Sequence, residues 1–471
     1  MTPRPQTLFD KLWDAHAIAD LGDGVNLLHI DRVFLHERSG AVALQTLKAS
    51  GLKVRRPALA FATIDHIVDT LPGRGDSTKF KGGGEFIRAM RDGAREAGIT
   101  FFDINDPRQG ITHVIAAEQG IAQPGATMVC GDSHTCTLGG LGALAWGIGS
   151  SGIEQALATQ TVEERRPKTL RIRCDGRLPA GVFAKDLVLA LIGKYGASGG
   201  AGFAIEFAGL AVHALTIEAR MTLCNMAIEF AAFTGIVAAD DETFAYLHGR
   251  PYAPAGALWD QALAHWRRLA SAEDAVFDCE LLFDAHTLQP QISWGTSPQQ
   301  VVAINGHVPD PATATDAAER NSMEAALRYM NLQPGTPMTA IPIEAAFIGS
   351  CTNARLSDLR EAANVLRGRK VAPGVKALCV PGSASVKRAA EMEGLDRVFK
   401  AAGFEWREAG CSLCFFVGGD DFGAARRVIS TTNRNFEGRQ GPGVQTHLAS
   451  PATVAASATL GRIGSAAELG G

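Results

Sequence analysis

Short apolar runs recur along this chain, and each stops at a polar turn. Residues 126–130 read Ala-Thr-Met-Val-Cys and stop at Gly131-Asp132-Ser133-His134. Residues 345–349 read Ala-Ala-Phe-Ile-Gly and stop at Ser350-Cys351, and 377–380 stop at Pro381-Gly382-Ser383. Each run has the length of a buried strand, and a helix-like spacing follows each turn. That alternation predicts an α/β fold. Ligands of such sheets gather at the carboxyl ends of strands, so these three turns are where a site is expected. Residues 170–174 start a fresh strand after the charged stretch 163–168, and 289–298 carries Pro, Ser and Gly. We therefore expect boundaries there, giving domains 1–169, 170–292 and 293–471. Residues 309–324 read as loop and then helix, and the Ala-rich stretch after Ser450 as helix. No internal repeat or low-complexity tract is legible.

Composition narrows the picture. A length of 471 residues suits about three domains at roughly 150 residues each, and 46% hydrophobic content supports sizeable cores. Charge is near balance, 45 − 49 = −4, with no Lys/Arg cluster, so no nucleic-acid partner is expected. The nine cysteines are odd in number and mostly in apolar contexts (Cys174, Cys224, Cys279, Cys379), which argues against a disulfide framework. A reducing, cytoplasmic compartment fits them better. The first residues lack the apolar core of a signal peptide, and no apolar run approaches the ~18 residues of a membrane span.

The chemistry enters with three cysteines, Cys351 in Gly-Ser-Cys-Thr-Asn and Cys411 and Cys414 in Gly-Cys-Ser-Leu-Cys. Four cysteines close an iron–sulfur cube for electron transfer. Three leave one iron open for Lewis-acid work. A zinc ion on three thiolates and a water is the alternative. Around them the chain offers acids, bases and anion binders. Asp65 beside His66 raises the imidazole's basicity and makes it a proton donor near neutral pH, unless the two are a surface pair. Asp132-Ser133-His134 offers acid, hydroxyl and imidazole at a strand end, with helix capping as the plainer reading. His113 sits in apolar sequence, where a lone His is more often a core residue. Asn225 and Glu229 would share a helix face, and a carboxylate there must find a partner. In Asn433-Arg434-Asn435-Phe436-Glu437-Gly438-Arg439, the two arginines can fork onto carboxylates, or the segment is a solvated turn.

These motifs together resemble the aconitase superfamily, most closely its isopropylmalate dehydratase large-subunit branch. The likeness runs from residues 7–12 through Ile30-Asp31-Arg32, 130–135, 157–161, Lys185-Asp186, 220–229, 349–353, 370–374, 410–414 and 433–439. It implies three α/β domains with mixed or parallel sheets flanked by helices, and a [4Fe–4S] cluster on Cys351, Cys411 and Cys414 with one iron not held by cysteine. It implies that His66, paired with Asp65, protonates the departing hydroxyl. Asp132, His113, His134 and Glu229 are then the hydrogen-bonded pairs around the leaving water, with Asn225 and Asn433 as cluster neighbours. Arg434, Arg439, Ser133 and His36 become substrate binders. The expected activity is reversible dehydration of a hydroxy-diacid, 2-isopropylmalate to 3-isopropylmalate in leucine biosynthesis. No counterpart of the swivelling fourth domain of aconitases is expected in this chain. Relatives receive it as a separate small subunit, so a heterodimeric or heterotetrameric partner is expected to supply the base.

Some residues depart from the branch's pattern. His36-Glu37 is followed by Arg38-Ser39-Gly40, Thr137 by Leu138, and the cysteine pair by Phe415-Phe416-Val417-Gly418-Gly419-Asp420; Gly82-Gly83-Gly84 is also unusual. The ligands and catalytic pairs are spared. The reaction type is therefore better fixed than the substrate, and citraconate/methylmalate, dimethylmalate or homoaconitate-type acids are rivals. An RNA-binding apo-protein is the rival of another class, and the charge balance opposes it.

Overall fold

The computed structural model describes residues 5–416 and 420–470. Val417, Gly418 and Gly419 of the unusual run after the cysteines lie outside the described residues. The chain divides into two compact units. Unit 1 is Met1–Val68, Gly82–Arg177 and Ser198–Ala285; unit 2 is Asp69–Lys81, Leu178–Ala197 and His286–Gly471.

In unit 1 the strands are β1 (Ala17–Gly22), β2 (Val25–His29), β3 (Arg32–His36), β4 (Ala60–Thr63), β5 (Thr100–Phe102), β6 (Thr127–Cys130), β7 (Leu144–Gly147), β8 (Thr161–Arg165), β9 (Lys168–Asp175), β10 (Phe203–Ala208), β11 (Thr234–Val237) and β12 (Cys279–Asp284). One sheet runs β5-β4-β3-β6-β7 and another β11-β10-β9-β12, and every pairing in both is parallel. Parallel strands are covered on both faces, which is why β4 and β6 read as unbroken buried runs. The first sheet grows outward from β3 in both directions, so β3 and β6 flank the point where the strand order reverses. Beside it, the helix Gly83–Ala97 buries Gly83, Ile87, Met90 and Ala94 along one stripe. Trp13, Phe34, Phe61, Phe102 and Trp146 fill the core, each stabilising by about 2–3 kcal/mol.

In unit 2 the strands are β13 (Gln291–Ser293), β14 (Val301–Ala303), β15 (Ala345–Ile348), β16 (Lys376–Cys379), β17 (Glu405–Trp406), β18 (Arg427–Ser430) and β19 (Gln445–Leu448). The sheet β17-β16-β15-β18-β19 is again parallel. Its order repeats that of the first sheet, starting in the middle and growing to both sides. The sequence shows no such repeat, because the shared feature is strand order and not residue identity. The expected helices over the later part of 309–324 and after Ser450 are present as Ala317–Met330 and Pro451–Leu460.

Candidate functional site

The reversal point of the first sheet in unit 1 gathers the expected acids and bases. His36 ends β3, Asp65 and His66 follow β4, and Asp132–His134 follow β6. His66 Nδ1 lies 2.5 Å from Asp65 Oδ1, and His66 Nε2 lies 3.2 Å from Asp132 Oδ2. Asp132 Oδ1 is 3.3 Å from His113 Nε2 and 3.4 Å from His134 Nδ1. His134 Nε2 reaches Glu229 Oε1 at 2.8 Å. One carboxylate thus gathers three imidazoles, and the third hands on to a second carboxylate. The Asp65–His66 pair is buried, not a surface loop pair, and His113 is buried but faces Asp132. The capping reading of Asp132 is also true, since its Oδ1 accepts the His134 N–H at 2.7 Å.

Burial alone would drive these groups to neutrality. It pushes His66 down, yet the charges and hydrogen bonds of Asp65 and Asp132 outweigh it and raise His66 well above its ordinary value. Burial pushes Asp132 up, but the charge of His113 and the bonds from His113, His134 and His66 hold it well below the carboxylate range. Asp65, pushed up by burial, is pulled to about 2 by His66. His36 goes the other way. Burial and the neighbouring His66 lower it to about 4, so it is neutral at pH 7. Its ring packs on His66 at 4.3 Å, and its Nε2 is 3.2 Å from Ser39 Oγ. Ser133 Oγ is 3.4 Å from His134 Nδ1.

Two features differ from the sequence reading. Asn225 and Glu229 do not share one helix face: the helix ends at Asn225, and Glu229 rides a separate 3-10 turn, Ile228–Phe230. Asn225 Nδ2 donates to Thr137 Oγ1 at 2.8 Å, which ties that helix to the segment after β6. The second feature is Glu37, which the sequence reading noted only beside a departure. Its fully buried carboxylate accepts the backbone N–H groups of Asp65 (3.1 Å), His66 (2.7 Å) and Ile67. A charged residue at the buried end of a strand was the available signal.

Unit 2 carries the cysteines. Cys351 follows β15 on a turn where Ser350 has φ +77°, and Arg355 donates to the carbonyls of Cys351 and Thr352 at 2.8 Å each. Cys411 caps the 3-10 turn Ser412–Cys414 and Cys414 ends it, with their sulfurs within 4.8 Å of each other. Leu413 between them is sunk in the apolar cluster with Phe347 and Val428. Ser412, at φ +47°, donates to Asp420 Oδ2 at 2.6 Å. The same oxygen accepts from Thr70 Oγ1 at 2.5 Å, and Asp420 Oδ1 is 3.4 Å from Arg407. Asn433, after β18, donates to Cys351 Sγ at 3.4 Å, and Lys185 fixes the carbonyls of Thr431 and Thr432 just before it. Arg434 is half-buried, and the Arg439 guanidinium lies over the rings of Phe415 and Phe436 at 5.1 and 5.4 Å. The turn at Pro381–Ser383 carries a cap: Ser383 accepts the Val386 N–H.

A family profile described as "Aconitase family (aconitate hydratase)" matches residues 10–461. The chain belongs to the aconitase family. It is 53% identical over 460 residues to the 3-isopropylmalate dehydratase large subunit 1 of Bradyrhizobium diazoefficiens, covering 98% of this chain and 96% of that relative. A crystal structure of Thermococcus kodakaraensis aconitase X in its holo form is similar at 14% identity and a TM-score of 0.46, covering 91% of this chain and 89% of that one. This aconitase-family hydro-lyase has α/β architecture, with parallel sheets flanked by helices. Among the described residues, no helix is long and apolar enough to cross a membrane.

The family implies a [4Fe–4S] cluster, and the donor set here fits one. All three cysteines are buried and none is in a disulfide. An amide N–H points at the Cys351 sulfur, the kind of outer hydrogen bond that tunes such centres.

Proposed function

We propose that this chain is the large subunit of a two-subunit enzyme that interconverts 2-isopropylmalate and 3-isopropylmalate in leucine biosynthesis. The observation that carries the chemistry is the Asp132 carboxylate holding His66, His113 and His134. The near full-length likeness to a dehydratase large subunit supports the substrate. Cys351, Cys411 and Cys414 would hold a [4Fe–4S] cluster with one iron lacking a cysteine, which when bound would supply Lewis acidity toward the hydroxyl that leaves.

The chain's own residues do the rest. His66 is kept protonated by Asp65 and Asp132, so it holds a proton ready for the departing oxygen. Asp132 is too weak a base to take that proton, so it orients the rings and leaves them the transfer. In the hydration direction His66, once neutral, takes the proton back from water. The His134–Glu229 pair, with His113, orients the water by hydrogen bonds. Arg434 and Arg439 bind substrate carboxylates in the fork geometry that suits them, with Ser133 and neutral His36 as further contacts. Asn433, which donates to the Cys351 sulfur, would neighbour the cluster. The base that removes the α-proton belongs to a separate small subunit.

The three-part division at 169 and 292 also remains our reading, supported by the sheet β5-β4-β3-β6-β7 lying before 169 and the sheet β17-β16-β15-β18-β19 lying after 292. A cytoplasmic setting suits nine cysteines without a disulfide among them and the cluster. A paralogous activity on another alkylmalate is favoured by Arg38-Ser39-Gly40 beside His36. The test is expression of the chain with and without a small subunit, cluster reconstitution, and assay of isopropylmalate against methylmalate and dimethylmalate. Turnover of isopropylmalate by the pair and none by the chain alone is expected. Robust turnover by the chain alone sinks the two-subunit reading, and preference for another acid sinks the substrate.

A further inference from the structure

Residues 64–67 follow β4 and belong to no helix or strand, so their backbone polar groups need partners from elsewhere. Each finds one. Gln109 Nε2 donates to the Ile64 carbonyl at 2.6 Å. The N–H groups of Asp65, His66 and Ile67 all end on the Glu37 carboxylate. The Asp65 side chain is held on its far oxygen by the Thr112 N–H at 2.9 Å and the Thr112 hydroxyl at 3.2 Å. One side chain thus fixes three successive peptide planes, including both residues of the acid pair. Glu37 directly follows His36, whose ring packs on His66, so the end of β3 supplies both the ring contact and the anion.

We propose that Glu37 is a positioning residue of the dehydration step, the anchor that sets the direction of the His66 ring by holding its backbone. The inference rests on the reading that His66 is the acid. Glu37 is not a metal ligand in this arrangement, although one of its oxygens lies within 4.8 Å of donor atoms of His36, Asp65 and His66. Both oxygens already accept backbone N–H groups. A neutral amide of the same shape turns its NH2 toward N–H groups and keeps one acceptor for three donors. Aspartate keeps the charge and withdraws it by one methylene.

The experiment uses the holoenzyme, this chain with its small subunit and reconstituted cluster. It measures kcat, KM, iron content and thermal midpoint for Glu37→Gln, Glu37→Asp and His66→Gln. A misplacement near 1 Å costs on the order of 100-fold, so Glu37→Gln should lose about that in kcat. Its KM should stay within about threefold and its iron content at the wild-type level, because only the reacting group is misaimed. Glu37→Asp should fall between wild type and Glu37→Gln, and it carries the test if Glu37→Gln does not fold. Wild-type kcat in either folded variant, alongside an inactive His66→Gln, overturns the inference and leaves the acid reading intact. An active His66→Gln overturns the acid reading itself. Parallel loss of iron, KM and kcat also overturns the inference, since it marks general damage to the fold.

Discussion

At Gly131 the backbone after β6 passes close to Ser39. A Cβ placed there falls 2.1 Å from Ser39 Oγ and 2.9 Å from its Cβ. Gly131→Ala should cost about 1–3 kcal/mol by overpacking, read as a lowered thermal midpoint with a loss of kcat, because Asp132 is the next residue. Adding Ser39→Gly should restore part of both, a coupling that a double-mutant cycle measures. A second pair sets a pH window. His16 Nε2 bonds Asp31 Oδ2 at 2.8 Å, with His29 at 3.5 Å from the other oxygen. Burial opposes both charges, yet the pairing raises His16 above 6.5 and lowers Asp31 below 3.8. The His16 share of stability is therefore full below pH 6.5 and lost as pH rises through its raised value. The Asp31 share is full above pH 3.8 and lost as pH falls through its lowered value. Urea unfolding should show His16→Gln costing about 1–2 kcal/mol near pH 5.5 and less near pH 8.5. At this scale the sequence named the acids and bases. It did not show that one carboxylate serves three rings, which needs β3, β4 and β6 side by side.

Strands were the most legible elements. The run at 126–130 is β6, Thr127–Cys130, and the run at 345–349 is β15, Ala345–Ile348, because burial on both faces writes itself as continuous apolar sequence. Turns were less legible. The spacing from Asn225 to Glu229 looks helical, but the chain leaves the α-helix at Asn225, and left-handed Ala231 ends the following turn. Nothing local encodes the exit, since Asn225 is held by Thr137, far away in sequence. The cysteine turn depends on distant partners in the same way. Leu413 sinks into the core while Ser412, in a left-handed conformation costing of order 1–3 kcal/mol, is tied to Asp420. Asp420→Ala should free that turn and lower iron per chain after reconstitution, with faster bleaching in air. Unchanged iron content and bleaching would show that the turn holds without it.

For the whole molecule, the sheets around β3 and β15 share a strand order, and each puts a polar turn at its reversal point. The first carries the proton-handling groups, the other Cys351 and Asn433. Removing iron with a chelator should abolish turnover. It should also speed hydrogen exchange around 411–416 and 431–436 while β3, β4 and β6 keep their protection, because the cysteines all lie in unit 2. The α/β class was legible from the alternation of runs. The shared strand order was not, because topology leaves no periodicity in sequence.

The chain passes between its two units five times, and this has a cost in time. Asp69–Lys81 belongs to unit 2, yet Asp420, which Thr70 grips, is made about 340 residues after Lys81. At roughly 5–20 residues per second, the ribosome leaves that segment unmatched for about 17 to 70 s. During that interval the Thr70 hydroxyl waits for its carboxylate, a few residues after those that will handle the proton. The acid pair is therefore written early, but its downstream tether is fastened only near the end of synthesis.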